Sequence, residues 1–357
     1  RALRQLIYRL GEACGCADVA LNIRCFAFSS ERMLSRYDSH TNMLRLTSAC
    51  ASAAIGGADA ILLLPFSWVE GQTTSFARRM ARNTQIMLRE ESGLGQITDS
   101  PGGSGYVTYL TQALAEKSWS IFQQLENEGS LESILQSGSI QRSIRNTANR
   151  RLDNLAILTD EITGINAFPN LASHPKETIS EHPPAKDEVD VAVTAETLPL
   201  RRLAEPFETV RDFVEEKYQE NGTRPCVLAF ILDEEKNTSD LVDFGKNIFA
   251  IAGLDLKRQD SPLSENESPE ALSKIKNSVV CIVGSDNSLN HQGIEQARLL
   301  REAGASRIIM IVRPGNKITS FRDAGVDGFL YRGANILEEL SFVIQALGLS
   351  KRLSFEY

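Results

Sequence analysis

The chain has 357 residues, 38 basic and 46 acidic side chains, and a formal net charge of −8. At roughly 100–200 residues per domain this length predicts two domains, and 42% hydrophobic with 24% charged residues is the composition of an ordinary soluble protein. The sequence has no apolar stretch of the ~20 residues that span a bilayer and no basic domain, which argues against a transmembrane protein and against partnership with nucleic acid or a membrane.

The first part of the chain alternates predicted strands and helices. It starts at Arg1 inside a predicted amphipathic helix, so we expect the natural protein to begin further upstream. Strands are predicted at 19–29 and 58–65, the second buried on both faces, and helices at 41–55, 73–89 and 106–127. This order is typical of a parallel sheet or barrel, but ~165 residues cannot close an eight-stranded barrel, which needs about 250.

A linker and a second α/β region follow. Residues 169–206 hold six of the twelve prolines, and residues 172–222 hold twelve acidic and six basic side chains, so we predict a surface linker that ends in an exposed helix at 205–221. Apolar runs then predict strands at 226–232, 255–256, 279–284, 307–312 and 328–331, with helices between them. Five βα units in ~130 residues predict a flavodoxin-like doubly wound sheet, whose ligand crevice lies at the carboxyl ends of its first and third strands.

Two features of the first part could bind anions. The glycine-rich turn at 99–105 leads into a helix, where free N–H groups can cradle a phosphate, although a plain turn and N-cap is the alternative. Four arginines on one predicted helix could hold an acidic substrate, or form a solvated or interface surface: Arg78, Arg79, Arg82 and Arg89.

Titratable residues of the second region suggest a weaker metal hypothesis. Asp233, Glu234 and Glu235 close the first strand and Asp286 follows the third, so they could bind Mg²⁺ as in a receiver domain or be ordinary loop residues. His174 and His182 lie in the linker and are predicted to be solvated, His40 begins a helix, and His291 lies near the crevice. No histidine pair or C-x-C spacing predicts a metal site, and the six cysteines suit a reducing, cytoplasmic location.

Residues 82–119 carry a specific combination of motifs. They are Arg82-Asn83-Thr84-Gln85, Glu91-Ser92-Gly93, the turn at 99–106, Leu110-Thr111 and Trp119. In them the chain resembles the adenosylcobalamin-dependent methylmalonyl-CoA mutases, from about residue 20 to 166 and more loosely from 224 to the end. The resemblance implies an α/β fold in which 1–168 is the later part of a TIM-type substrate barrel, 169–222 a linker and helix, and 223–357 a flavodoxin-like cobalamin-binding domain.

The chain departs from this family where catalytic members act on substrate and cobalt. Catalytic members carry H-x-Q-T-S-G on the strand that faces the substrate. Here Phe26 and Phe28 replace the histidine and the glutamine, and neither side chain can hydrogen-bond or move a proton. The cobalt-binding D-x-H-x-x-G appears as a degenerate stretch around Asp233, Glu235 and Ser239, without the histidine. The lysine that the family carries just before this motif falls near Phe230. The family's G-G turn after the fourth strand of this domain appears here as residues 313–316.

These losses favour a non-catalytic small subunit of a heterodimeric methylmalonyl-CoA mutase, with a structural role in assembly. In this hypothesis the chain has no catalytic, cofactor-binding or metal residues of its own. Adenosylcobalamin belongs to the large catalytic subunit, which interconverts methylmalonyl-CoA and succinyl-CoA. Two alternatives stay open: a catalytic mutase with an atypical cofactor site, using His291 or a nucleotide base at cobalt, and a regulatory module phosphorylated at Asp233.

Overall fold

The computed structural model describes residues 1–71, 73–174, 195–259, 262–264 and 268–349, which form helices and two parallel sheets. The strands are β1 (Phe26–Phe28), β2 (Ala60–Leu62), β3 (Cys226–Ile231), β4 (Asp255–Arg258), β5 (Val279–Val283), β6 (Arg307–Met310) and β7 (Gly328–Phe329). The α-helices are α1 (Ala2–Ala13), α2 (Ala17–Leu21), α3 (Thr41–Gly56), α4 (Ser75–Glu90), α5 (Gly105–Glu128), α6 (Leu131–Ser137), α7 (Ser139–Ala156), α8 (Glu205–Asn221), α9 (Lys236–Ile251), α10 (Pro269–Ile275), α11 (Asp286–Ser288), α12 (Ile294–Glu302), α13 (Ile318–Asp323) and α14 (Ile336–Ala346). Among these helices, none is both long and apolar enough to cross a bilayer.

The chain divides into two compact units. Unit 1 comprises Arg1–Asn146 and Pro175–Arg202, and unit 2 comprises Thr147–His174 and Leu203–Tyr357. The division falls inside α7 and assigns α8 to unit 2, whereas sequence composition groups α8 with the linker. The ranges 1–168, 169–222 and 223–357 rest on composition and resemblance and stay a prediction.

Unit 1 contains one strand–helix–strand motif, in which β1 and β2 pair in parallel on either side of α3 in sequence. Its core is built by six buried residues: Leu34, Leu46, Cys50, Leu63, Phe66 and Ala77. Ile61 of β2 packs against this core, whereas Leu62 points to the opposite face and is 54% exposed. The prediction that this strand is buried on both faces is therefore wrong, because the described residues cover only the helix side of the sheet.

The N-terminal part of unit 1 is more helical than its sequence pattern predicts. The predicted strand at 19–29 is wrong in its first half, where α2 forms, and only Phe26–Phe28 are extended. Tertiary packing decides this, because α2 lies so close to α1 that a Cβ on Gly11 would be 2.5 Å from the Cβ of Ala20. The helices predicted at 41–55, 73–89 and 106–127 are confirmed as α3, α4 and α5.

Unit 2 is built on a five-stranded parallel sheet with the strand order β4-β3-β5-β6-β7. All five predicted strands are confirmed. The central strands are apolar because they are buried on both faces of the sheet, as β5 is. β3 pairs with β5 from Leu228 opposite Val280 to Ile231 opposite Val283. Their carboxyl ends are therefore adjacent, which brings Asp233 next to Ser285.

Helix α8 is part of the unit 2 core and not the exposed helix that its charged composition predicts. Phe207, Val210 and Val214 recur at helical spacing on one face and are fully buried, and α8 packs against α14. The same face also buries Arg211 and Glu215. The prediction of an exposed helix is wrong because these charged side chains are paired with each other.

Candidate functional site

Asp233 is the centre of a hydrogen-bond cluster at the carboxyl edge of the unit 2 sheet. Its Oδ2 accepts from the N–H of Ser285, 2.7 Å away, and its Oδ1 accepts from the N–H of Glu235 at 3.2 Å and from the hydroxyl of Thr238. One carboxylate thus joins the loop after β3 to the loop after β5. The cluster lies at the point where sequence reasoning places the ligand crevice.

The same bonds fix the ionisation of Asp233. Partial burial opposes the charge, but the hydrogen bonds from Thr238, Ser285, Ser288 and Glu235 together outweigh it and lower the pKa of Asp233 far below its usual range. The carboxylate is therefore ionised and already satisfied by donors of the protein. The described residues contain no group of three or more His, Cys, Asp or Glu side chains placed to hold a metal ion, so the Mg²⁺ hypothesis gains no support.

Glu235 and Ser239, the other residues of the degenerate cobalt-binding motif, lie at the start of α9 beside this cluster. Glu235 occupies the N-cap position of α9 without a side-chain capping bond, and it is exposed. Ser239 lines a cavity of about 440 Å³ together with Lys246 and Arg258. Arg258 pairs with Glu234 at the surface, at a distance of 2.9 Å. Residues 233–239 thus carry polar and charged side chains, and there is no histidine among them.

Phe26 and Phe28 lie on the open face of the unit 1 sheet. They alternate with Ala27 along β1 and are 64% and 72% exposed. Phe28 stands opposite Leu62 of β2, so the face turned away from the helices is apolar. This face can pack against apolar groups, but it offers no side chain for proton transfer.

The two features predicted to bind anions in unit 1 are the turn at 99–105 and the arginines of α4. In the turn, the Ser104 hydroxyl accepts from the N–H of Val107 at 3.3 Å, which is the N-cap that the sequence offers as the alternative to a phosphate site. The four arginines of α4 are all exposed. Arg78 donates to the carbonyl of Thr73, whereas Arg82 and Arg89 line a cavity.

Of the histidines, His40 stands at the N-cap position of α3, and His291 is exposed. His182 lies outside the described residues. His174 is not simply solvated as predicted: its Nδ1 lies 3.0 Å from Oε2 of Glu215, and its ring stacks on Tyr218. The first residues of the linker are therefore bound to α8.

Sequence reasoning missed the buried ion cluster around Glu215, the residue that His174 contacts. Arg211 and Arg224 both pair with Glu215, at 3.3 Å and 2.8 Å. Their remaining donors bind main-chain carbonyls, Arg211 those of Asn170 and Ser173, and Arg224 those of Leu171 and Gly253. The only local signal is the i, i+4 spacing of Arg211 and Glu215, which also occurs on exposed helices.

The chain is similar to known proteins along most of its length. The family model described as methylmalonyl-CoA mutase matches residues 1–203, more than half of the chain. The methylmalonyl-CoA mutase small subunit of Streptomyces virginiae is 32% identical over 98% of the chain and 54% of its own length. That of Propionibacterium freudenreichii subsp. shermanii is 29% identical over 98% of the chain and 53% of its own length.

A relative without the subunit designation matches a smaller part. The methylmalonyl-CoA mutase of Cereibacter sphaeroides is 32% identical over 50% of the chain and 25% of its own length. The chain spans about half the length of the small subunits that it matches. The longer matches are thus to proteins named as small subunits.

Proposed function

Because the chain belongs to the methylmalonyl-CoA mutase family, we propose that it is the non-catalytic small subunit of a heterodimeric methylmalonyl-CoA mutase. In this proposal the large subunit interconverts methylmalonyl-CoA and succinyl-CoA, and the present chain contributes to assembly and stability. The observation that carries it is the 98% coverage of the chain by relatives named as small subunits.

The fold proposed for this role has two parts. β1, α3 and β2 are consistent with one segment of a TIM-type barrel, because parallel strands joined by a helix are its repeating unit. If the five strands of the unit 2 sheet are numbered 1 to 5 along the chain, the order β4-β3-β5-β6-β7 becomes 2-1-3-4-5. This is the strand order of flavodoxin-like domains. Both assignments support the barrel and the cobalamin-domain ancestry that the family resemblance implies.

The open face of the unit 1 sheet supports the loss of catalysis. Phe26 and Phe28 project from the side of β1 that faces away from the helices, which in a barrel is the interior, and in this proposal that interior is where catalytic members bind substrate. An acyl thioester there would meet aromatic rings in place of hydrogen-bonding groups. Restoring one polar residue would leave the other phenylalanine and Leu62 beside it.

The carboxyl edge of the unit 2 sheet does not fit a cobalamin whose cobalt takes a protein histidine. Position 235, where the family has that histidine, is a glutamate. The aspartate that would orient the histidine, Asp233, is occupied by Thr238, Ser285 and the N–H of Glu235. We therefore assign adenosylcobalamin to the large subunit alone, and a cytoplasmic location to the pair, in keeping with six cysteines that are all free.

Cobalamin stoichiometry tests this proposal. The chain and its large subunit are co-expressed, and bound cobalamin is measured by visible absorbance against protein concentration. We expect one cobalamin per heterodimer, and the same value with Glu235→His in this chain, because Asp233 is not available to orient a new histidine. Two cobalamins per wild-type heterodimer would instead support a catalytic mutase with an atypical cofactor site, the alternative to our proposal.

A further inference from the structure

Unit 1 contains a cavity of about 420 Å³ between α3, the start of β2 and α4, within the ~300–1,000 Å³ typical of small-molecule sites. Its floor is apolar, with Cys50 and Ala54 from α3 and Ile61 from β2. Cys50 is 3% exposed, and burial raises the pKa of its thiol. The small side chains of Ala54, Ala58 and Ala60 leave the space open.

One face of α4 supplies the polar side of this cavity. Arg82, Gln85 and Arg89 are spaced i, i+3 and i+7, so their side chains lie along the same line of the helix. Neither Arg82 nor Gln85 has a hydrogen-bond or ion-pair partner in the described part of the chain. The guanidinium of Arg82 is thus an uncompensated cation at an apolar cavity.

The third polar group is held in place by the loop that follows α4. The N–H of Leu94 donates to the carbonyl of Leu88 at 3.2 Å, which turns the loop back over the end of the helix. Gly95 then lies against the Arg89 stem, since a Cβ at this position would be 2.6 Å from Cγ of Arg89. Arg89 also donates from Nε to Glu90 at 2.7 Å, so it is partly compensated and secondary to Arg82.

Asp59 is the acidic residue of the cavity wall, and its charge is already neutralised. Its carboxylate accepts from the N–H of Cys25 at 2.7 Å and pairs with Arg4. These two bonds, the first of them above all, lower the pKa of Asp59. An anion in the cavity would therefore meet Arg82 without a free carboxylate opposing it.

We propose that this cavity is a binding site for a small carboxylate with an aliphatic chain. The carboxylate would bind to the guanidinium of Arg82, with Gln85 and Arg89 beside it, because a planar guanidinium matches a carboxylate in two-point hydrogen bonding. The chain would lie on the floor of Cys50, Ala54 and Ile61. The site is independent of the subunit role proposed above and lies within unit 1.

Isothermal titration calorimetry of the full chain with octanoate tests the site. We expect saturable binding of one octanoate, and binding at least about tenfold weaker for acetate, which lacks the chain, and for octan-1-ol, which lacks the charge. Absence of octanoate binding, or equal binding of octan-1-ol, would overturn the proposal. Neither result bears on cobalamin stoichiometry, so the two proposals fail separately.

Variants locate the binding. Arg82→Gln should weaken octanoate binding about tenfold, while the control Arg79→Gln, on the same helix but away from the cavity, should leave it unchanged. Ala54→Leu should also abolish binding, because it fills the floor without altering a charge. Octanoate binding that survives Arg82→Gln, an exposed position whose substitution does not threaten the fold, would contradict the assignment.

Discussion

At the scale of single residues, Asp233 has a structural role at the carboxyl edge of the unit 2 sheet. The side chain is bound by two main-chain N–H groups and by the Thr238 hydroxyl. The donors come from the start of α9, where Glu235 and Thr238 lie, and from Ser285 in the loop after β5. The carboxylate therefore stabilises the connection between the loops that follow β3 and β5.

The first prediction concerns Asp233→Asn, which removes the charge and keeps the size. We expect the free energy of unfolding at pH 7 to fall by about 1–2 kcal/mol, a value reduced for partial solvent screening. The folded pKa is lowered, so the wild-type contribution is complete above the unfolded value of about 4 and is lost as the pH falls through the folded pKa. Urea unfolding should accordingly show a smaller difference at pH 3 than at pH 7.

Asp286→Asn is the matched control for this measurement. Asp286 lies in the neighbouring loop at the start of α11 and is exposed. Its substitution should change stability by no more than about 0.5 kcal/mol at either pH. Equal effects of the two variants, or a loss at Asp233 that does not depend on pH, would show that the cluster is not held by the charge.

At the scale of secondary-structure elements, α8 joins the start of the linker to unit 2. Arg211 and Arg224 reach from α8 and from the residue before β3 to the carbonyls of Asn170, Leu171 and Ser173. Glu215 pairs with both cations and is itself buried. A helix rich in charge is thus an internal element, and its buried Arg211 and Glu215 are paired with groups of opposite charge.

The second prediction follows from this cluster. Arg211→Met keeps the aliphatic stem but removes the cation, so two carbonyls lose a donor and Glu215 loses one partner. We expect the free energy of unfolding to fall by about 3 kcal/mol, as for other broken buried ion pairs, in urea unfolding followed by circular dichroism. Limited proteolysis should also become faster near residues 170–174, because their main-chain contacts are removed.

Lys217→Met on the same helix provides the control. Lys217 pairs with Glu220 at 2.8 Å, but both side chains are about half exposed. Such surface pairs contribute about 0–1 kcal/mol, so this variant should be close to wild type. A loss of stability as large as that of Arg211→Met would mean that the effect comes from the helix and not from burial.

At the scale of the whole molecule, exposed apolar side chains are very unevenly distributed. Of the 26 large hydrophobic side chains that are exposed among the described residues, 23 belong to unit 1 and three to unit 2. Those of unit 1 include Phe26 and Phe28 of the open sheet face and Tyr106 and Tyr109 of α5. Apolar surface of this extent is typical of a face that further protein covers, whether other residues of a longer chain or a partner.

The third prediction uses this asymmetry and rests on the proposed subunit role. A dye that fluoresces on apolar surfaces, such as anilinonaphthalene sulfonate, should bind to the free chain. Adding the large subunit should reduce fluorescence below the sum of the separate proteins, because pairing buries part of the unit 1 surface. An unrelated protein of similar size is the control, and strictly additive fluorescence with the large subunit would argue against pairing through unit 1.

The sequence by itself determined the elements that depend on local pattern. Continuous apolar runs located the central strands of unit 2, since a central parallel strand is buried on both faces wherever it lies. Helical periodicity located α3, α4 and α5, and the motifs of residues 82–119 indicated the family that the comparisons show. These features need only neighbours along the chain to be recognised.

Only the tertiary structure decided which faces are covered and which charges are paired. The sequence does not distinguish the buried Arg211 and Glu215 from an exposed i, i+4 pair, because their burial depends on Arg224 and on carbonyls from another segment. For the same reason it predicted β2 as buried on both faces, although Leu62 is open to solvent. Burial is a property of contacts between distant segments, and a pattern along one segment cannot specify it.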